Sequence, residues 1–198
     1  EANFNLVLHP EARMAATDFE TRLQIPAIEL TRLYQLDKLH SQYQALGKVL
    51  GTEFDDLADY QAAETAVTDF LARFGPVTFS VGECMNGDAF ELALALVRYG
   101  FRVAEVFGTL QSENFVFLRH LAEESPGTRI YSNMEPTMLY YAPAGAGTDL
   151  TIGKDAGYYH PECPCLPWNS DVQPYGYAGL RRLFTDLTAL LSGKEANQ

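Results

Sequence analysis

The sequence predicts an α/β fold in which a parallel sheet lies between layers of helices. Two observations point there. From Val77 onward, short apolar stretches alternate with amphipathic stretches of helical length, and glycine or proline stands at the junctions. A shorter strand, helix, strand, helix succession precedes that region, and this order implies parallel pairing with a right-handed crossover. A hydrophobic share of 47%, with 12% aromatic residues, supplies the core such a fold must bury.

In chain order, Phe4 to His9 is a strand and Pro10 to Leu23 a helix, with Pro10 in the first turn where a missing N–H costs nothing. Ile25 to Leu30 is a second strand, and Leu33 to Leu50 a helix stopped by Gly51. Two strands do not make a parallel sheet buried on both faces, and the chain begins Glu1-Ala2-Asn3 without methionine. The expectation is therefore a piece of a longer protein, with residues 1–54 the end of a preceding domain. Asp55 to Phe74 is an alanine-rich linker helix within residues 55–75, ended by Gly75-Pro76. Residues 76–198 form the main domain.

In that domain Val77 to Val81 is a strand, and Asp88 with Glu91 has capping-box spacing for a helix through Tyr99. Arg102 to Phe107, Thr128 to Ser132, Asp149 to Ile152 and Cys163 to Leu166 are further strands. Helices run over Ser112 to Glu124 and Tyr177 to Leu191, with one or two helical turns in Met134 to Tyr141 and a short helix around Gly157 to His160 capped by Asp155. The result is a Rossmann-like three-layer αβα domain of four or five parallel strands, preceded by the partial end of a second Rossmann-like domain. Ligands in such sheets bind beyond the carboxyl ends of the strands. Those ends are His9, Gly82 to Asn86, Gly108 to Ser112, Ser132-Asn133 and Gly153 to Asp155.

Charge and cysteine content narrow the function. The formal net charge of −12 argues against non-specific nucleic-acid or anionic-membrane binding, since both need a basic face. No stretch approaches the ~18 apolar residues of a membrane span. Three cysteines form no disulfide framework, which favours a reducing cytoplasm.

Four groups of residues carry possible chemistry. His160, Cys163 and Cys165 are metal-ligand types, but Cys-Pro-Cys is tighter than the usual knuckle, so thiols in a core are the expected reading. Gly153-Lys154-Asp155 offers backbone N–H groups and an ammonium to an anion, or a plain strand-to-helix turn; neither G-x-x-x-x-G-K-[ST] nor G-x-G-x-x-G occurs. His9, at a strand end, suits ligand or acid/base work as well as a local hydrogen bond. Tyr140, Tyr141, Tyr158, Tyr159, Tyr175 and Tyr177 line either an apolar pocket or a core with wet edges.

The order of FNLVLHPEARMAATDFETRLQIPAIEL, the linker helix, VTFSVGE, FELALALVRYGFRVAEVFG, DLTIGKDA, CPCLPW and PYGYAGLRRLF resembles the C-terminal part of the nitrogenase component 1 superfamily. That superfamily includes molybdenum–iron protein subunits, cofactor-assembly scaffolds and dark-operative protochlorophyllide reductase subunits. The resemblance implies an oxidoreductase receiving electrons from an ATP-hydrolysing iron protein. It also implies a homologous subunit as partner, and an iron–sulfur cluster or metallocluster whose ligands lie mostly upstream of this chain. It places His9, Ser132, Lys154 and Asp155 at a cofactor or substrate cleft between domains, with His9 the metal ligand. His9 stands where the molybdenum–iron protein has a cofactor-ligating cysteine, and Leu166 to Ser170 lacks that protein's cofactor histidine. Both departures point to a substrate other than dinitrogen. A non-catalytic cluster carrier or scaffold is the second expectation, and a two-lobe small-ligand binding module the third.

Overall fold

The computed structural model describes residues 3–84, 87–143, 145–169 and 174–193. Two parallel sheets organise it. The first pairs β1 (Asn5–Val7) with β2 (Ala27–Glu29), Leu6 opposite Ile28. Between them a 3₁₀ turn (Pro10–Ala12) leads into α1 (Arg13–Leu23). An extended segment then reaches α2 (Leu36–Leu50), which starts three residues later than the apolar pattern suggests. The reason is local: the N–H groups of Tyr34 and Gln35 are bonded to the buried Glu91 carboxylate, so both residues stay outside the helix. Gly51 ends α2 at φ +64°, its N–H returning to the carbonyls of Gly47 and Lys48.

After α3 (Leu57–Phe74) the second sheet is built from β3 (Thr78–Val81), β4 (Arg102–Phe107), β5 (Arg129–Tyr131), β6 (Leu150–Ile152) and β7 (Cys165–Leu166). Its order is β5-β4-β3-β6-β7, all parallel. The helices are α4 (Ala89–Arg98), α5 (Phe115–Glu124), α6 (Lys154–Tyr159) and α7 (Gly176–Leu191). This is the doubly wound, Rossmann-like arrangement expected, and the chain reverses direction across the sheet between β3 and β6. Three local expectations change. The last strand is only two residues long, leaving Cys163 in the preceding turn, where its N–H meets the His160 carbonyl at 3.1 Å. Gly153, not Asp155, is the N-cap of α6. Asp88 caps α4 through Phe90 N–H and Glu91 N–H, but Glu91 does not complete a box, because its carboxylate turns toward Tyr34 and Gln35.

The two faces of the large sheet differ. On one, Phe79 of β3 meets Phe101, and both touch Phe70 of α3, with Phe184 of α7 closing the group at ring separations of 5.4 to 6.4 Å. On the other, the paired positions Ser80, Glu105 and Thr151 are polar yet fully buried. Phe107 continues that face, stacked on Tyr159 at 4.6 Å. Tyr131 and Tyr141 join the same aromatic group, whereas Tyr140 and Tyr158 are exposed. The tyrosines are thus mostly core edge.

Candidate functional site

The crevice at the reversal point, where ligands of such sheets usually sit, is closed here. Gly82 after β3 and Gly153 after β6 approach so tightly that Gly82 N–H donates to Ile152 O at 2.6 Å. A Cβ on Gly82 would lie 1.8 Å from the Asp155 carboxylate. That carboxylate accepts from Glu83 N–H (3.0 Å), Ala156 N–H (3.0 Å) and Asn133 Nδ2 (2.7 Å). Asp155 therefore fastens three loops together. Lys154 beside it is exposed, and Ser132 Oγ sits 3.4 Å from Met134 N.

The open space lies to one side, over the carboxyl ends of β3 and β4 and beneath the first sheet. It is a cavity of about 530 Å³. His9, Arg13 and Arg32 come to it from the N-terminal segment, Glu83 and Cys84 from the loop after β3, and Thr109 from the loop after β4. Of the residues the sequence singled out, His9 lines this cavity; Ser132, Lys154 and Asp155 do not, although Asp155 holds the backbone of Glu83 behind the wall. The strand-end search segments Gly82 to Asn86 and Gly108 to Ser112 do supply the wall, but Met85 and Asn86 lie outside the described residues.

Most of the wall is already committed to internal bonds. Glu83 accepts from both the N–H and the hydroxyl of Thr109 at 2.7 Å. Asp88 caps α4 with one oxygen and accepts from Asn114 Nδ2 at 2.7 Å with the other. Arg13 pairs with Glu29 and reaches Glu113 at 3.4 Å, crossing from α1 to the turn before α5. Arg32 is buried, lies 4.3 Å over the Tyr175 ring and donates to Pro174 O. The buried Glu91 carboxylate accepts from Tyr34 N–H at 2.9 Å, from Gln35 N–H at 3.2 Å and from Gln35 Nε2 at 3.0 Å. Burial pushes it up to about 7 against those donors, which favour the ionised form.

Two of the described wall residues carry an imidazole nitrogen or thiol sulfur donor, and the Cys84 thiol is already spent on Gly82 O at 3.5 Å. His9 Nδ1 lies 3.3 Å from Glu11 but is not aligned for a hydrogen bond, and the atom is buried without one. Cys84 is buried, its thiol pushed up by burial, so it is a neutral S–H in the bare chain. His9 offers the cavity one imidazole nitrogen that is not hydrogen-bonded. The donors described there do not fit a cluster held by this chain alone. Sequence reasoning missed Arg13 and Arg32, which carry no local signal. Glu91 had one: a lone carboxylate inside the otherwise apolar run Ala89 to Val97.

Among the described residues no helix is long and apolar enough to cross a membrane. The family described as "Nitrogenase component 1 type Oxidoreductase" matches residues 1–192. Of solved structures, "Nitrogenase Cp1 at pH 6.5" superposes at a TM-score of 0.71 with 17% identity, over 96% of this chain and 45% of that one. The chain thus spans less than half the length of that relative. Aspartate transcarbamoylase from Trypanosoma cruzi matches at a TM-score of 0.33 with 12% identity, over 99% of this chain and 84% of that one. Among curated proteins, none matches the chain.

Proposed function

The chain belongs to the nitrogenase component 1 type oxidoreductases, and from that premise we propose that it is part of a cytoplasmic reductase whose substrate or cofactor occupies the cavity at His9, with electrons supplied by an ATP-hydrolysing iron protein. A homologous subunit and an upstream domain complete the protein, and residues 1–54 end that domain. The group bound there supplies the electron chemistry. This chain's residues orient and enclose it: His9 offers an imidazole nitrogen, while the Glu83–Thr109 and Asp88–Asn114 bonds hold the loops that shape the wall. The observation that carries the reading is His9 Nδ1, buried at the cavity without a hydrogen-bond partner. Asp155 positions the neighbouring loops in this scheme, and Ser132 Oγ supports the turn at Met134.

The test is anaerobic production of the full-length protein, iron-replete and iron-limited. The expected result is a bound chromophore that diminishes at least tenfold in His9→Ala, with folding unchanged by circular dichroism. A full-length protein carrying neither cluster nor chromophore sinks the reading. The carrier or scaffold alternative is favoured by Trp168, which stands in the stretch lacking a cofactor histidine and spends its indole N–H on Tyr34 OH at 2.9 Å. Steady turnover with iron protein and ATP rules against that alternative.

A further inference from the structure

On the polar face of the large sheet, remote from the His9 cavity, the turn from α6 to β7 gathers three unlike donor atoms. One imidazole nitrogen of His160, a Glu162 carboxylate oxygen and Cys163 Sγ all lie within 4.8 Å of one another. Glu162 Oε1 is 3.6 Å from His160 Nδ1 and 3.6 Å from Cys163 Sγ. Ligand atoms bound to one tetrahedral zinc ion at its usual bond lengths stand roughly 3.3 to 3.7 Å apart. The nitrogen-to-oxygen separation is also too long for a hydrogen bond.

The imidazole is held from behind. His160 is 1% exposed, and its Nε2 lies 2.7 Å from Oε2 of Glu105, itself 1% exposed on β4. Arg129 Nη2 stands 2.8 Å from the other carboxylate oxygen, and Tyr141 OH donates to Oε2 at 2.5 Å. With the Glu105 carboxylate accepting from Nε2–H, Nδ1 carries the lone pair and stands 3.6 Å from Glu162 Oε1. A carboxylate behind the ring is how metal-ligating histidines are oriented.

We propose that His160 Nδ1, Cys163 Sγ and a Glu162 carboxylate oxygen bind one divalent transition-metal ion of the zinc class. The nitrogen, sulfur and oxygen donor set selects such an ion over calcium or magnesium, which take oxygen ligands. Cys163, whose S–H donates to Thr148 O at 3.2 Å in the metal-free chain, gives up that bond and releases its proton to solvent as the metal–thiolate bond forms. Exposed Glu162 leaves a fourth position to water, so the site is a three-ligand one with an open position. Glu105 and Tyr141 position His160 and do not touch the ion. The Cys165 thiol faces Gly153 O at 3.5 Å and takes no part.

Cobalt(II) is the probe, titrated into the reduced, metal-free protein. One equivalent binds with a thiolate-to-cobalt charge-transfer absorption, and zinc displaces it mole for mole. Cys163→Ser abolishes the absorption, Glu162→Gln weakens binding at least tenfold, and Glu105→Gln weakens it about 10- to 100-fold. Cys165→Ser changes nothing. Circular dichroism confirms that each variant is folded. Absence of the charge-transfer band at stoichiometric cobalt overturns the proposal, as does a band that survives Cys163→Ser. In either case the three side chains form only a hydrogen-bonded turn packed on Glu105.

Discussion

At the scale of single residues, Glu91 shows how a burial cost and a set of hydrogen bonds compete. Its carboxylate takes the N–H groups that precede α2, work a polar cap at the surface would ordinarily do. Burial nonetheless lifts it from 4.5 to about 7. A carboxyl raised in the folded state binds its proton more tightly there than in the unfolded chain. Its contribution to stability is therefore full below about pH 4.5 and is lost as pH rises through about 7. The expected outcome is a thermal midpoint that falls between pH 5 and 8, with roughly 3 kcal/mol at stake. Glu91→Gln, whose amide oxygen still accepts from Tyr34 and Gln35, flattens that dependence. A wild-type midpoint constant across this range would show that the donors outweigh burial and keep the carboxylate ionised throughout.

At the scale of elements, the helix starts show what pattern can and cannot reveal. Asp88 is legible as a cap because short-range geometry decides it: Phe90 N–H and Glu91 N–H are two and three residues away. Its second oxygen also holds Asn114, so Asp88→Ala costs more than an ordinary cap, about 2 kcal/mol or more, read as a lower denaturant midpoint at unchanged slope. A loss well under about 1 kcal/mol would mean that Asn114 finds another acceptor. The strands and helices of the sheet were legible for the same reason, since periodicity and glycine stops are local. Partners distant in sequence were not. Glu91 lies 57 positions from Tyr34, and Asp155 lies 72 from Glu83, so spacing marks Glu91 as a box member and Asp155 as a cap when their carboxylates are spent on remote loops. The cavity was half legible in this way. The strand-end rule found His9 and the loops after β3 and β4, but Arg13 and Arg32 enter only through packing of the first sheet over the second.

At the scale of the whole molecule, the question is what fixes that packing and so creates the cavity. Tyr34 is the hub. It is 1% exposed; Tyr99 OH donates to its carbonyl at 2.6 Å, Glu91 accepts its N–H, and Trp168 Nε1 donates to its hydroxyl. Two of those three bonds belong to its backbone and survive any side-chain change. Tyr34→Phe therefore removes only the Trp168 partnership, costing about 1–2 kcal/mol for a buried indole N–H left without an acceptor. Tyr34→Ala also empties a ring-sized volume between α2 and the loop at Gly87, where a glycine Cβ would already stand 2.9 Å from the Tyr34 hydroxyl. That variant should lose about 3–5 kcal/mol. Beyond stability, the segment through Leu33 should loosen while the five-stranded sheet persists, so limited proteolysis cuts between Leu30 and Gln35 in Tyr34→Ala and not in Tyr34→Phe. Equal protection in both variants would assign the seating of the first sheet to the Arg13 and Tyr175 contacts instead, and the cavity at His9 would then keep its shape without Tyr34.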